Sequence, residues 1–91
     1  MGVDALDLVF RLEKSFGIKL PYSNSAGMFD VPGGVTAGHV HDFICRRLTE
    51  SGRRIPFSSW HRVQLCISRA VGVPPQQVKR ESRLVKDLGM C

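Results

Sequence analysis

The chain has 91 residues, a formal net charge of +5 and 43% hydrophobic residues. This length suits one small domain with a modest core, and the apolar share is that of a globular chain rather than a disordered one. Because no apolar run approaches the roughly 20 residues of a membrane span and the N-terminus lacks the basic start and apolar core of a signal peptide, we expect a cytoplasmic protein.

The first predicted element is an amphipathic helix over residues 2–16. Asp4 and Asp7 lie near its start, where carboxylates favour the positive end of the helix dipole. Gly17 follows its last apolar residue and can adopt the left-handed conformation that ends a helix. The positions that recur at helical spacing, and that we expect to form its buried stripe, are Leu6, Val9, Phe10, Leu12 and Phe16.

A loop and a second helix follow. Residues 21–34 are rich in proline, glycine and asparagine, which predicts a loop with one short helical turn around residues 25–29. Thr36 is a suitable N-cap for a helix that continues to about Glu50. The apolar face of this second helix comprises Val40, Phe43, Ile44 and Leu48.

Residues 51–59 read as a linker, and a third helix is predicted over residues 60–71. Ser58 or Ser59 can cap its start, and Gly72 can close it. Its apolar face comprises Val63, Cys66, Ile67, Ala70 and Val71. In the final segment we expect Val78, Leu84 and Leu88 to hold the chain against the helices.

The side chains that carry metal or nucleophilic chemistry form no recognisable set. His39 and His41 are two residues apart on a helix, so they point to different faces and do not converge on one ion. Histidines exposed beside the half-buried Cys45 are the expected arrangement, and Ser59 has no context typical of a catalytic triad. Three cysteines without a pairing pattern favour reduced thiols. We therefore predict no metal site and no enzyme activity.

The basic residues include three adjacent pairs, Arg46-Arg47, Arg53-Arg54 and Lys79-Arg80, with few aromatic residues between them. Scattered pairs of this kind are typical of solvated helix faces more than of a nucleic-acid groove. A small basic regulator that binds nucleic acid remains an alternative function.

Three stretches resemble acyl carrier proteins. Residues 12–18, Leu-Glu-Lys-Ser-Phe-Gly-Ile, resemble the end of the second carrier helix, which bears the phosphopantetheine group. Residues 35–44 resemble the start of the last carrier helix. Residues 72–90, with Ser-Arg-Leu-Val-Lys-Asp-Leu-Gly, resemble the first helix and first loop of an acyl carrier protein.

The order of these stretches is reversed relative to the family. Residues 1–50 resemble carrier helices two to four, whereas residues 60–91 resemble carrier helix one and the following loop. The resemblance therefore implies an all-α bundle of three to four helices in circularly permuted order, as permutation through surface termini allows. A domain-swapped homodimer, or a fragment spanning two tandem carriers, would show the same order in its sequence.

The attachment serine of the family is missing. When the end of the chain is joined to its beginning without a gap, Gly2 occupies the serine position, and in a local alternative register Ala5 does. Neither residue has a hydroxyl that could attack coenzyme A, so no phosphopantetheine cofactor is expected.

The resemblance therefore implies a non-enzymatic, carrier-like protein that acts by protein–protein interaction in fatty-acid or polyketide metabolism. The alternative is a working acyl or peptidyl carrier whose serine has been mutated or replaced, and such a carrier would bear phosphopantetheine. The partner would be an enzyme or carrier of lipid or polyketide synthesis. Family members are typically acidic, so this basic chain needs partners of a different charge. The contact candidates are Asp4, Asp7, Arg11 and Lys14.

Overall fold

The computed structural model describes residues 3–19 and 34–89, with side chains from Asp7 onward. Its helices are α1 (Val3–Phe16), α2 (Ala37–Glu50) and α3 (Ser59–Val71), followed by a 3₁₀ turn at Pro75–Gln77. The described residues contain no β-strand, only an isolated antiparallel bridge. The all-α prediction is confirmed at this level. The predicted loop and helical turn within residues 20–33 lie outside the described residues.

Helix α1 buries a stripe that differs from the predicted one. Leu8, Val9, Leu12 and Phe16 lie in the core. The prediction for Phe10 was wrong, because 56% of this residue is exposed. Apolar residues surround most of α1, so its core-facing side is decided by the position of α3 and not by periodicity alone. The end of α1 is as predicted, since Gly17 has φ 63° and its N–H donates to the Glu13 carbonyl at 2.8 Å.

Helix α2 begins at a reciprocal cap. The backbone N–H of His39 donates to Thr36 Oγ1 at 3.2 Å, and the Thr36 N–H donates to His39 Nδ1 at 3.1 Å. This arrangement satisfies two backbone donors that a helix start would otherwise leave open. The predicted N-cap and the end at Glu50 are confirmed. Within its apolar face, Val40, Ile44 and Leu48 are buried, and Phe43 is partly buried against the core.

The start of α2 also docks on the last segment of the chain. The Ala37 N–H donates to the Ser82 carbonyl and the Gly38 N–H donates to the Arg80 carbonyl, both at 2.9 Å. A Cβ atom at Gly38 would lie 3.0 Å from that carbonyl oxygen. Glycine at this position therefore permits the close approach that closes the bundle.

Helix α3 and the residues after it complete the core. Val63, Cys66 and Ile67 are buried, whereas Ala70 and Val71 are partly buried. The predicted stop at Gly72 is confirmed, with φ 77°. The helix begins at Ser59, one residue earlier than predicted, and Ser58 makes no side-chain capping bond. The three residues predicted to hold the final segment, Val78, Leu84 and Leu88, are all buried.

Arginines from other segments bind the backbone carbonyls at the C-terminal end of α1. Arg53 Nη1 donates to the Gly17 carbonyl at 2.8 Å, and Arg62 Nη1 donates to the Ser15 carbonyl at 3.1 Å. Carbonyls at a helix C-terminus have no partner within the helix and attract cations. These bonds fix the end of α1 against both the linker and α3.

Candidate functional site

A groove lies between α1 and α3. Its volume is about 330 Å³. Four of its seven lining residues are cationic, while the others supply a hydroxyl, a thiol and an aliphatic side chain. The lining residues are Arg11, Lys14, Ser15, Arg62, Leu65, Cys66 and Arg69.

The two helices run antiparallel along the groove. Ser15, near the end of α1, meets Arg62, near the start of α3. Arg11, one turn earlier in α1, acts electrostatically on Cys66, as does Arg69 from the far end of α3. The cations therefore occupy both walls of the groove along its length.

Two of the four cations are held by the protein itself. Arg11 Nε donates to Asp7 Oδ2 at 2.8 Å, an ion pair one turn apart on α1. Arg62 donates to the Ser15 carbonyl and, through Nε, to Ser58 Oγ at 3.2 Å. Within the described part of the chain, the charged groups of Lys14 and Arg69 form no hydrogen bond or ion pair. These two side chains are available to an anion in the groove.

The Cys66 thiol lies at the bottom of the groove. Burial raises the pKa of this thiol, while a hydrogen bond from Ser15 and the charges of Arg11 and Arg69 lower it. Burial is the largest of these influences, so the thiol stays protonated near neutral pH and is a poor nucleophile. The groove is consequently a cationic surface over a neutral floor.

The structure brings only part of the predicted contact set to this groove. Arg11 and Lys14 line it, and Asp7 orients Arg11. Asp4 and Ala5 lie in the first turn of α1, but their side chains are outside the described part of the chain, as is all of Gly2.

The cations of α3 were missed by the sequence reasoning. Arg62 and Arg69 are seven residues apart and so share one helix face, beside the apolar stripe of Val63, Cys66 and Ile67. The seven-residue spacing of these two arginines could have predicted a basic face on α3. The sequence did not reveal that this face of α3 lies beside Arg11 and Lys14.

A second polar cluster joins α2 to α3. His41 Nε2 is hydrogen-bonded to Ser59 Oγ at 2.8 Å and lies 3.4 Å from Cys45 Sγ. The His41 and Trp60 rings pack in a T-shaped arrangement with their centroids 5.7 Å apart, and the Arg80 guanidinium lies over the Trp60 ring, 4.7 Å from its centroid. The expectation of an exposed His41 was therefore wrong, because this residue is half-buried between α2 and α3. His39, in contrast, is exposed and engaged in the α2 cap.

The environment of this cluster favours neutral groups. Burial, followed by the charge of Arg80, lowers the pKa of His41, although Asp42 acts in the opposite direction. Burial also raises the pKa of the Cys45 thiol. His41 Nδ1 is buried and has no hydrogen-bond partner among the described residues, so none of their carboxylates orients the ring as in a catalytic triad. Within the described residues, no three His, Cys, Asp or Glu side chains lie close enough together to hold a metal ion.

Each of the three basic pairs has one arginine engaged within the molecule. Arg47 donates to the Lys19 carbonyl at 3.5 Å, and Arg53 binds the end of α1. Arg80 stacks on Trp60. The pairs are thus spread over the bundle, and one arginine of each makes a structural contact. None of these paired residues lines the basic groove.

None of the helices in the described ranges combines the length and apolarity needed to cross a membrane. Comparison of the chain with protein-family models, curated proteins and solved structures yields no match.

Proposed function

We propose that the chain is a non-enzymatic binding protein whose helices are arranged as in an acyl carrier protein in permuted order. It has no phosphopantetheine arm and binds an acidic partner protein through the groove between α1 and α3. The observation that carries this proposal is the convergence of Arg11, Lys14, Arg62 and Arg69 on one groove. The resemblance to carrier proteins favours a partner from fatty-acid or polyketide metabolism.

The packing of the chain supports the permuted arrangement. Helix α3, which resembles the first carrier helix, packs on α1, which resembles the second. The α2–α3 linker, residues 51–58, connects the two halves within one chain, and Arg53 from this linker binds the end of α1. A domain-swapped homodimer would form the same contacts between two chains, so the molecular mass in solution distinguishes the two forms.

The charge of the groove indicates the kind of partner. A cluster of like charges with few internal partners attracts an oppositely charged surface and accelerates its association. Surface ion pairs contribute little affinity individually, so several must act together with apolar contacts. A protein with an acidic surface, such as an ordinary acyl carrier protein, meets this requirement.

The experiment that tests the proposal has two parts. The intact mass of the protein purified from cells should show no 4′-phosphopantetheine, and binding to a purified acidic acyl carrier protein should be measured together with photo-crosslinking in cell extract. A groove variant, Lys14→Glu with Arg69→Glu, should lose the partner. A matched variant, Lys79→Glu with Lys86→Glu, makes the same change in net charge at exposed positions outside the groove and should retain it.

Three results would overturn the proposal. An arm on the parent protein would make it a working carrier. If both double variants lost the partner equally, binding would depend on the net charge of the protein and not on the groove. Binding to duplex DNA or RNA with steep salt dependence, stronger than binding to any acidic protein, would favour the nucleic-acid alternative.

A further inference from the structure

The groove also indicates the shape of its occupant. Resting on the proposed function, we propose that the partner inserts an amphipathic helix lengthwise between α1 and α3. In this arrangement, acidic side chains meet Lys14 and Arg69, and an apolar side chain of the inserted helix contacts Phe10, which is exposed on α1 one helical turn before Lys14.

The spacing of the cations fits a helix better than a single small anion. Arg62 and Arg69 are separated by two turns of α3, about 10 Å along its axis, whereas Arg11 and Lys14 are separated by about one turn of α1. A third helix lying along the groove presents side chains at the same repeat, so its acidic residues at positions i, i+3 or i+4, and i+7 can meet both walls.

The volume of the groove suits a few inserted side chains of a partner better than it suits a large cofactor. Its volume of about 330 Å³ is at the low end of the roughly 300–1,000 Å³ of small-molecule pockets. A groove of this volume accommodates a few side chains but not a large cofactor. Leu65 and the protonated Cys66 thiol give it an apolar floor between the charged walls.

Phe10 supplies the apolar contact that the cations lack. It is 56% exposed and lies just outside the groove lining, one helical turn before Lys14 on the same side of α1. A large aromatic side chain beside cations is typical of interface positions that carry much of the binding free energy. Exposed ion pairs are individually weak, so we expect Phe10 to matter at least as much as either groove charge alone.

The test uses two synthetic peptides of identical composition. In the patterned peptide, glutamates flank a leucine stripe on one helix face, while in the scrambled peptide the same residues surround the helix. Binding is measured by fluorescence anisotropy. Coverage of the groove is measured by the alkylation rate of Cys66, with Cys45 on α2 as the internal reference, and peptide mapping resolves each cysteine.

We expect the patterned peptide to bind more tightly than the scrambled one and to slow alkylation of Cys66 but not of Cys45. Phe10→Ala and the double variant Lys14→Glu with Arg69→Glu should each weaken binding roughly tenfold or more, whereas Lys79→Glu with Lys86→Glu should change it less than about twofold. Circular dichroism verifies that every variant is folded.

Equal binding of the two peptides, unchanged alkylation of Cys66, or full affinity of Phe10→Ala would overturn the inserted helix. So would protection of Cys66 by inorganic phosphate or hexanoate but not by the patterned peptide, since the groove would then be a small-anion site. If an acidic protein still requires Lys14 and Arg69 for capture while the patterned peptide fails to bind, the inserted helix is wrong and the proposed function stands. If capture is independent of these residues, the proposed function itself fails.

Discussion

Replacement of Leu84 by alanine tests the way in which the last segment closes the bundle. Leu84 lies outside any helix, yet it is 0% exposed, and its N–H donates to the Val35 carbonyl at 3.0 Å. Leu84→Ala removes three buried carbon groups, each contributing about 0.8 kcal/mol of transfer free energy. The cavity left behind adds to this loss, so we expect the free energy of unfolding to fall by about 3 kcal/mol.

That loss is large for a domain of this size, whose total stability is of the order of 5–14 kcal/mol. It corresponds to a decrease in Tm of roughly 12–24 °C. Urea unfolding followed by the fluorescence of Trp60, the single tryptophan, measures the change. The neighbouring variant Val85→Ala is the control, because Val85 is 58% exposed and its loss should cost less than about 0.5 kcal/mol. Equal costs for the two variants, or a cost below about 1 kcal/mol for Leu84→Ala, would refute the packing of this segment.

Three further predictions follow from individual contacts. Arg53→Ala removes the bonds to the last carbonyls of α1 and should cost about 1 kcal/mol by urea unfolding, whereas Arg54→Ala should cost little. Because the pKa of His41 is lowered in the folded protein, the unfolded chain binds more protons below pH 6.5. The contribution of His41 to stability is therefore full above that pH and is lost as the pH falls towards the folded-state pKa. His41→Gln should reduce this pH dependence of stability. Because Lys14 and Arg69 have no described partner, neutralising both with glutamine should leave thermal stability unchanged or raise it, and a clear decrease in Tm would contradict this.

The helix ends could be predicted because their signals are local. Thr36 provides a side-chain oxygen at the start of α2, and Gly17 and Gly72 adopt the left-handed conformation at the ends of α1 and α3. Each signal acts on backbone groups within a few residues of itself, so the surroundings do not change its meaning. Leu84 and Leu88 were also predictable, since two leucines in an otherwise polar, turn-rich segment have few ways to leave water except by packing on the helices.

The remaining features depend on how the helices meet. Phe10 and Leu8 are equally apolar, and the position of α3 decides which one is buried. The Ser59 hydroxyl reads as a helix cap in the sequence, but it bonds instead with His41, 18 residues away. Contacts of this kind are set by the relative rotation of α2 and α3, which periodicity does not specify. The basic groove was missed for the same reason, because its two walls come from helices that are far apart in the sequence.

The cationic residues of the molecule divide into those engaged in structural contacts and those whose charge we propose is used in binding. Arg53 and Arg80 are engaged, one with carbonyls at the end of α1 and the other with the Trp60 ring. The groove concentrates cations that repel one another, and only part of that charge is offset by Asp7 and by backbone oxygens. A fold selected for stability alone gains nothing from keeping Lys14 and Arg69 there, because replacing either would relieve repulsion without breaking a described contact. Under the proposed function, this unfavourable charge cluster at a concave surface is where stability is given up for recognition.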